Sequence, residues 1–340
     1  RASSSSMVSQ EMGCSTTVSV AGSSLLVEGE RFEVRGVAYS PLLSFERRFE
    51  APPDLFTPER RAVWHDDLQL LAGLGAKTLR RVGRRCARRP RQPTSDRHPR
   101  RLYNWDPALH GGAAGLAFLD SAAAAGLRVM LPISNYFLEH REAARAIVQR
   151  IARHPAILLW AVSNEPDAGK PAGSAEAKAA FARVASLTRV VREAEDALGT
   201  WHPITVPLTC ETRHLAALAA AGALWDVDGF NCYWGPTKPD PADFFYARHA
   251  ASTAAARASA ASPLHAASRA RGRAGGGAGG NLSLGTSRPL LLTEWGSDSY
   301  DNVAGASSEA AQPLPGTLPR PPMWSHPPPP APADPPPPTT

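Results

Sequence analysis

Two hydrophobic rhythms alternate along this chain between residues 25 and 296. Residues 25 to 39 carry a short hairpin pattern that turns at Glu28-Gly29-Glu30 and runs into a strand, with Phe32, Val34 and Val37 as its apolar positions. From residue 59, Val63, Trp64, Leu68, Leu71 and Leu74 recur at helical spacing until Gly75, and Ala76 to Val82 follows as a strand. The alternation then repeats. A helix near Ala113 to Ala125 stops at Gly126 and leads to a strand from Leu127 to Ile133. A helix from about Leu138 to Arg153 is stopped by His154-Pro155 and leads to a strand from Ile157 to Ser163. A helix over roughly Ser174 to Leu198 precedes a strand from Ile204 to Leu208. A short helix precedes Val227 to Tyr233, and Pro289 to Thr293 ends the series.

Strand–helix–strand units imply parallel neighbours joined by crossovers. Strands that are apolar along their whole length, such as Ile157 to Ser163, need cover on both faces. Seven such strands predict an α/β fold: a (β/α)8 TIM barrel with the eighth strand not identifiable. After Gly296 the sequence turns polar and runs into PPPPAPADPPPP, the composition of an extended polyproline-type segment. The expected organisation is a loose Ser/Thr/Gly-rich segment over 1–24, a barrel domain over 25–300 and a Pro-rich disordered tail over 301–340. Insertions are expected near 84–101 and 237–287, the second containing RGRAGGGAGGN. The 340 residues are enough, since such a barrel takes about 250.

Composition modifies this picture in few places. A hydrophobic fraction of 43% supports a sizeable core. The net charge of +6 comes largely from one stretch, RRVGRRCARRPRQPTSDRHPRR, from Arg80 to Arg101. It lacks interleaved aromatics, which favours a solvated loop over a nucleic-acid site. Its place after the second strand would put it at the active face, so affinity for an acidic polysaccharide is the sharper alternative. Cys14, Cys86, Cys210 and Cys232 are not in CxxC or CxxH spacing, and His110, His202 and His214 are scattered. No metal site and no cofactor is therefore expected. No apolar run approaches the length of a membrane span. The compartment is left open.

The chemistry-bearing signals lie at strand ends. ILLWAVSNEPD, residues 157 to 167, is a buried strand pattern that breaks abruptly at Asn164-Glu165-Pro166. PLLLTEWG, residues 289 to 296, is a second one that ends in Glu294. A lone glutamate after a strand is usually a solvated loop residue. Two of them, at the fourth and seventh strands, fall together at the carboxyl face of a barrel, where active sites are built. Paired carboxylates suit glycosidic cleavage, in which one protonates the leaving oxygen and the other attacks the anomeric carbon. Like charges disfavour ionising both at once, so one carboxyl would keep its proton while the other is anionic. Trp160, Trp234, Trp295 and Tyr136 are candidate rings for stacking on a sugar, although Trp160 lies within its strand and fits a core position better.

These motifs resemble clan A glycoside hydrolases, in which an Asn-Glu pair ends the fourth strand and a Glu ends the seventh. FEVRGVAYSP resembles the first barrel strand of family 2 enzymes. LGAKTLRRVG resembles their second strand, with Arg80 at the position that supports the nucleophile. DVDGFNCYWG resembles their sixth, with Tyr233 where a tyrosine touches the nucleophile. Family 5 and the β-1,3-glucanosyltransferases share much of this pattern. The resemblance implies a retaining β-glycoside hydrolase acting on a β-linked oligo- or polysaccharide, with Glu165 as acid/base and Glu294 as nucleophile. Asn164, Arg80, Tyr233, Trp295 and Trp234 would contact substrate or support these groups. Two alternatives stand beside it: a β-glucan transglycosylase, and an inactive truncated barrel acting as a carbohydrate-binding or interaction protein. The eighth strand expected of the clan is missing, as are the immunoglobulin-like and jelly-roll domains that usually precede a family 2 barrel. A chain that stops short, or a substitute strand near Pro322-Met323-Trp324, would each account for the former.

Overall fold

The computed structural model describes residues 17–39, 60–81, 113–233, 241–260, 288–296, 300–301 and 306–307. The Arg-rich stretch over 84–101, RGRAGGGAGGN and, apart from 301 and 306–307, the segment over 301–340 expected to be a Pro-rich disordered tail lie outside them. The first three strands, β1 (Val18–Ala21), β2 (Ser24–Val27) and β3 (Glu30–Arg31), form an antiparallel meander. Its two turns use Gly22 and Gly29 at φ +58° and +81°, a left-handed geometry that glycine adopts without strain. Here the structure departs from the expectation of a loose segment over 1–24. Val18 pairs with Val27 and is 2% exposed, so Ser/Thr-rich composition conceals a strand.

Seven parallel strands follow: β4 (Gly36–Tyr39), β5 (Thr78–Arg81), β6 (Arg128–Ile133), β7 (Ile157–Val162), β8 (Ile204–Thr209), β9 (Val227–Tyr233) and β10 (Leu290–Gly296). They lie side by side in chain order. Between them run α1 (Arg61–Gly73), α2 (Ala113–Ala124), α3 (Arg141–Ile151), α4 (Ala175–Leu198), α5 (His214–Ala220) and α6 (Pro241–Ala260). This is the predicted α/β barrel rhythm. α6 occupies part of the region expected to be an insertion, 237–287; it is the regular helix between the sixth and seventh barrel strands. α4 has the clearest end signals: the Ser174 hydroxyl accepts from the Ala177 amide at 3.1 Å, and Gly199 closes the helix at φ +66°.

The sheet is curled rather than flat. β5 and β10 are five strands apart in sheet order, which in a flat sheet is ~24 Å. Yet the Arg80 guanidinium of β5 donates to the Thr293 carbonyl of β10 at 2.8 Å. No arginine side chain bridges the flat distance, so the strands close around an interior, giving seven strands of a (β/α)8 barrel. Among the described residues β4 and β10 are the sheet's edges, and no eighth strand lies between them.

Strand register separates two faces. Arg80 is level with Ala38 and Met130, Met130 with Leu159, Ala161 with Thr205, Pro207 with Gly229 and Thr209 with Asn231. These residues line the interior. Trp160, level with Leu131 and Ile204, points to the helix layer. It is fully buried, and its indole N–H donates to Glu195 of α4 at 3.0 Å. Trp160 is therefore a core residue and not a sugar platform. The meander leads into the amino end of β4, and its Val18, Leu25 and Val27 join Met130, Leu159 and Ala161 in one apolar cluster, with Leu291 packed against it. That end of the barrel is closed by hydrophobic packing, and the carboxyl ends of the strands are left to form the site.

Two buried charge networks tie helices to strands. Glu195 accepts from Trp160, from His202 Nδ1–H at 2.7 Å and from Arg192 at 3.0 Å, while Arg192 also binds Asp226. Burial works against an ionised Glu195, but the bonds from His202, Arg192 and Trp160 outweigh it and hold the carboxyl below the usual glutamate range. Asp228 of β9 accepts from Trp225, Arg248 and Ser252, the last two on α6. A disulfide joins Cys210, just beyond β8, to Cys232 of β9, a pairing that sequence spacing did not reveal.

The chain divides into two compact units, residues 1–232 with 239–295, and residues 233–238 with 296–340. The described part of the second includes β11 (Tyr300–Asp301) and β12 (Ala306–Ser307), which pair antiparallel. Among the described residues, no helix is long and apolar enough to cross a membrane.

Candidate active site

β7 is buried at every position from Ile157 to Val162, and then the backbone turns sharply. Ser163 and Glu165 have φ of +66° and +47°. Left-handed backbone costs a non-glycine residue about 1–2 kcal/mol, and such geometry persists where surrounding contacts over-determine it. Three neighbouring elements supply those contacts. On the β6 side, Asn135 of the turn Asn135–Leu138 binds Ser163 and Asn164. On the β8 side, the Glu165 amide donates to the Pro207 carbonyl at 2.7 Å. Asp167, 1% exposed, accepts from the Thr209 amide at 3.1 Å and the Thr209 hydroxyl at 2.5 Å, with His214 of α5 at 3.8 Å. The corner is held from before and after Glu165.

Arg80 is the hub of the site. It is 6% exposed, and its two terminal nitrogens serve three strands. Nη1 donates to Glu294 Oε1 at 2.8 Å, to the Thr293 carbonyl at 2.8 Å and to Asn231 Oδ1 at 3.0 Å. Nη2 donates to Asn164 Oδ1 at 2.6 Å. Asn231 extends the net: its Nδ2 donates to Glu165 Oε1 at 2.9 Å and to Asn164 Oδ1 at 3.2 Å, and its Oδ1 accepts from the Thr293 hydroxyl at 2.6 Å. Glu165 and Glu294, 129 residues apart in the chain, thus sit on one continuous hydrogen-bond network. A guanidinium stays protonated, so Arg80 offsets a carboxylate charge on Glu294 in a setting where both side chains are about nine-tenths buried.

The remaining expected residues are Tyr233, Trp295, Trp234 and Tyr136. Tyr233 ends β9 and is 37% exposed. Trp295 follows Glu294 in β10. Trp234 lies outside the described residues. Tyr136, 41% exposed, stacks on the His140 ring with centroids 3.9 Å apart. Sequence reasoning passed over Asn135, Asn231 and Thr293. Asn231 left a usable signal: it is a polar residue near the carboxyl end of its strand, in step with Gly229 and so on the same face. Asn135 left none, because an asparagine after a strand looks like any turn residue. Among the described residues no cluster of His, Cys, Asp or Glu has the arrangement to hold a metal ion.

No family model matches the chain, and no curated protein matches it. Solved structures do resemble it. A GH2 β-galacturonidase from Eisenbergiella tayi is 15% identical with a TM-score of 0.48 over 87% of this chain. A β-glucuronidase from Bacteroides uniformis is 14% identical with a TM-score of 0.49, again over 87%. A β-mannanase from the blue mussel Mytilus edulis is 13% identical with a TM-score of 0.47, over 65% of this chain and 76% of its own. The chain spans 42% of the galacturonidase and 29% of the glucuronidase.

Proposed function

We propose that this chain is a glycoside hydrolase of the retaining type. The observation that carries this reading is the shared network itself: two carboxylates from the ends of the fourth and seventh barrel strands are joined through Arg80 and Asn231. Glu294 lies against a permanent cation, which suits the attacking carboxylate. Glu165 accepts from the Asn231 side-chain amide and is assigned the acid/base role.

In the first step a Glu294 oxygen attacks the anomeric carbon, the glycosidic C–O bond breaks, and the departing oxygen takes the proton from Glu165. In the second, Glu165 removes a proton from water, whose oxygen attacks the same carbon and releases Glu294. Asn164, whose Oδ1 accepts from Arg80, is assigned to donate its side-chain N–H to the sugar 2-hydroxyl, a contact that strengthens in the transition state. Trp295 is proposed to line the sugar site. The substrate class is a β-linked glycoside.

Covalent trapping tests the reading. Purified protein is incubated with 2-deoxy-2-fluoro β-glycosides of glucose, galactose, mannose and glucuronic acid, and the label is located by peptide mass spectrometry. An adduct on Glu294 is the expected result. A folded protein that hydrolyses a glycoside yet is labelled elsewhere would overturn the assignment of the nucleophile.

A further inference from the structure

We infer that Asn135 is a positioning residue for Glu165, standing in for a strand that ends too early; the inference rests on the glycosidase reading above. β6 and β7 pair in parallel up to Ile133 and Val162, and the Ser163 amide still donates to the Ile133 carbonyl at 2.7 Å. One residue further, regular pairing fails, because Ser163 at φ +66° turns Asn164 out of the pleat. The Asn164 N–H and C=O then need partners outside the ladder. Asn135 supplies both with its side chain. Its Oδ1 accepts from the Asn164 amide at 2.9 Å and its Nδ2 donates to the Asn164 carbonyl at 2.8 Å. One carboxamide thus meets both backbone groups of one residue, the N–H and the C=O of Asn164, as a paired strand would. The same Oδ1 accepts from the Ser163 hydroxyl at 2.5 Å, fixing the residue with the left-handed backbone.

The consequence falls on Glu165. It follows Asn164 directly, its own φ is +47°, and its amide is held from the other side by the Pro207 carbonyl. The direction in which its carboxyl projects is set by the peptide that Asn135 grips. Asn135 is itself exposed, so water can satisfy the Asn164 peptide when the side chain is removed. Folding is then spared while the aim of the corner is loosened. A general acid is sensitive to that loss, because proton transfer requires hydrogen-bond reach of the leaving oxygen.

The test separates an acid-positioning role from a general structural one by leaving group. A 2,4-dinitrophenolate departs without protonation, whereas an alkoxide needs the proton of Glu165. Asn135→Ala is compared with wild type on 2,4-dinitrophenyl and methyl β-glycosides of glucose, galactose, mannose and glucuronic acid, with thermal melts alongside. Expected is a fall in kcat/KM of about 10- to 100-fold on the methyl glycoside, a share of the roughly 100- to 10,000-fold that a general acid supplies, and less than about threefold on the dinitrophenyl one. Asn135→Asp keeps the accepting oxygen but not the donor, should likewise lose more on the methyl than on the dinitrophenyl glycoside, and serves if Asn135→Ala melts early. Equal losses on both leaving groups, or none, would overturn the positioning role while leaving the glycosidase reading intact. Wild-type protein that is folded and inert toward every glycoside would overturn both.

Discussion

At the scale of single residues the site is a problem in satisfying buried polar groups. Arg80 is almost fully enclosed, and every bond it makes is also a constraint on the partner: Glu294, Asn164, Asn231 and the Thr293 carbonyl are all registered against one planar fork. A lysine carries the charge but not the fork. Arg80→Lys is therefore expected to keep the fold and lower kcat/KM by roughly 100-fold, the scale of an ångström-sized misplacement at a reacting centre; steady-state kinetics beside a melt would check this. Gly229 shows the same tightness on the interior wall. A Cβ there would overlap Thr205 Oγ1 and come within 3.1 Å of Thr293 Cγ2. Gly229→Ala should cost about 1–3 kcal/mol, as overpacking does. Among the described residues Thr205 Oγ1 has no hydrogen-bond partner, so adding Thr205→Ala should recover most of the loss. Chemical denaturation of the single and double variants measures both.

At the scale of elements the fold depends on how helices are fastened to strands. Glu195 lies one turn before the end of α4 and binds the indole of β7, the imidazole of His202 just before β8, and Arg192 on its own helix. Removing one partner from such a buried set leaves charges uncompensated, so Glu195→Gln should cost about 3–5 kcal/mol at neutral pH. The pH dependence follows in sign. The folded carboxyl is held below its unfolded value, so its contribution is complete above an unfolded value of about 4.3 and is lost as pH falls through the lower folded value. Urea melts of wild type and variant should therefore differ widely at pH 7 and converge as the pH is taken below about 4. A difference that does not vary with pH would show that Glu195 acts by packing alone.

At the scale of the whole molecule the barrel interior has two ends with different chemistry. One is filled by Val18, Leu25 and Val27 of the meander against Met130, Leu159 and Ala161; the other carries the polar net. The amino-terminal strands are consequently part of the barrel's core and not an appendage to it. Leu25→Ala is expected to cost about 2–5 kcal/mol, as a large-to-small change in a packed core. For a domain of this size that corresponds to a melting point lower by roughly 5–15 °C. Starting the chain at Glu28 should unfold it, which circular dichroism would register as loss of the cooperative transition.

The sequence by itself determined the order of the seven barrel strands and of the helices up to the sixth strand, because periods of two and 3.6 follow from backbone geometry and need no knowledge of distant contacts. It also marked Glu165 and Glu294, since a carboxylate that breaks a fully apolar strand stands out locally, and resemblance supplied Arg80. What it did not determine was anything that depends on which face of a strand is inward or on partners remote in the chain. Val18–Ala21 is a strand because Val18 finds Val27 and the barrel core, not because of its own composition. Trp160 is structural because its strand register turns it to Glu195. Asn231 joined the network only when closure of the sheet brought β5, β7, β9 and β10 together, and Asn135 reached the corner only when β6 paired with β7. Hydrogen bonds between residues such as Arg80 and Glu294, 214 positions apart, leave no periodic trace; curling of the sheet creates them.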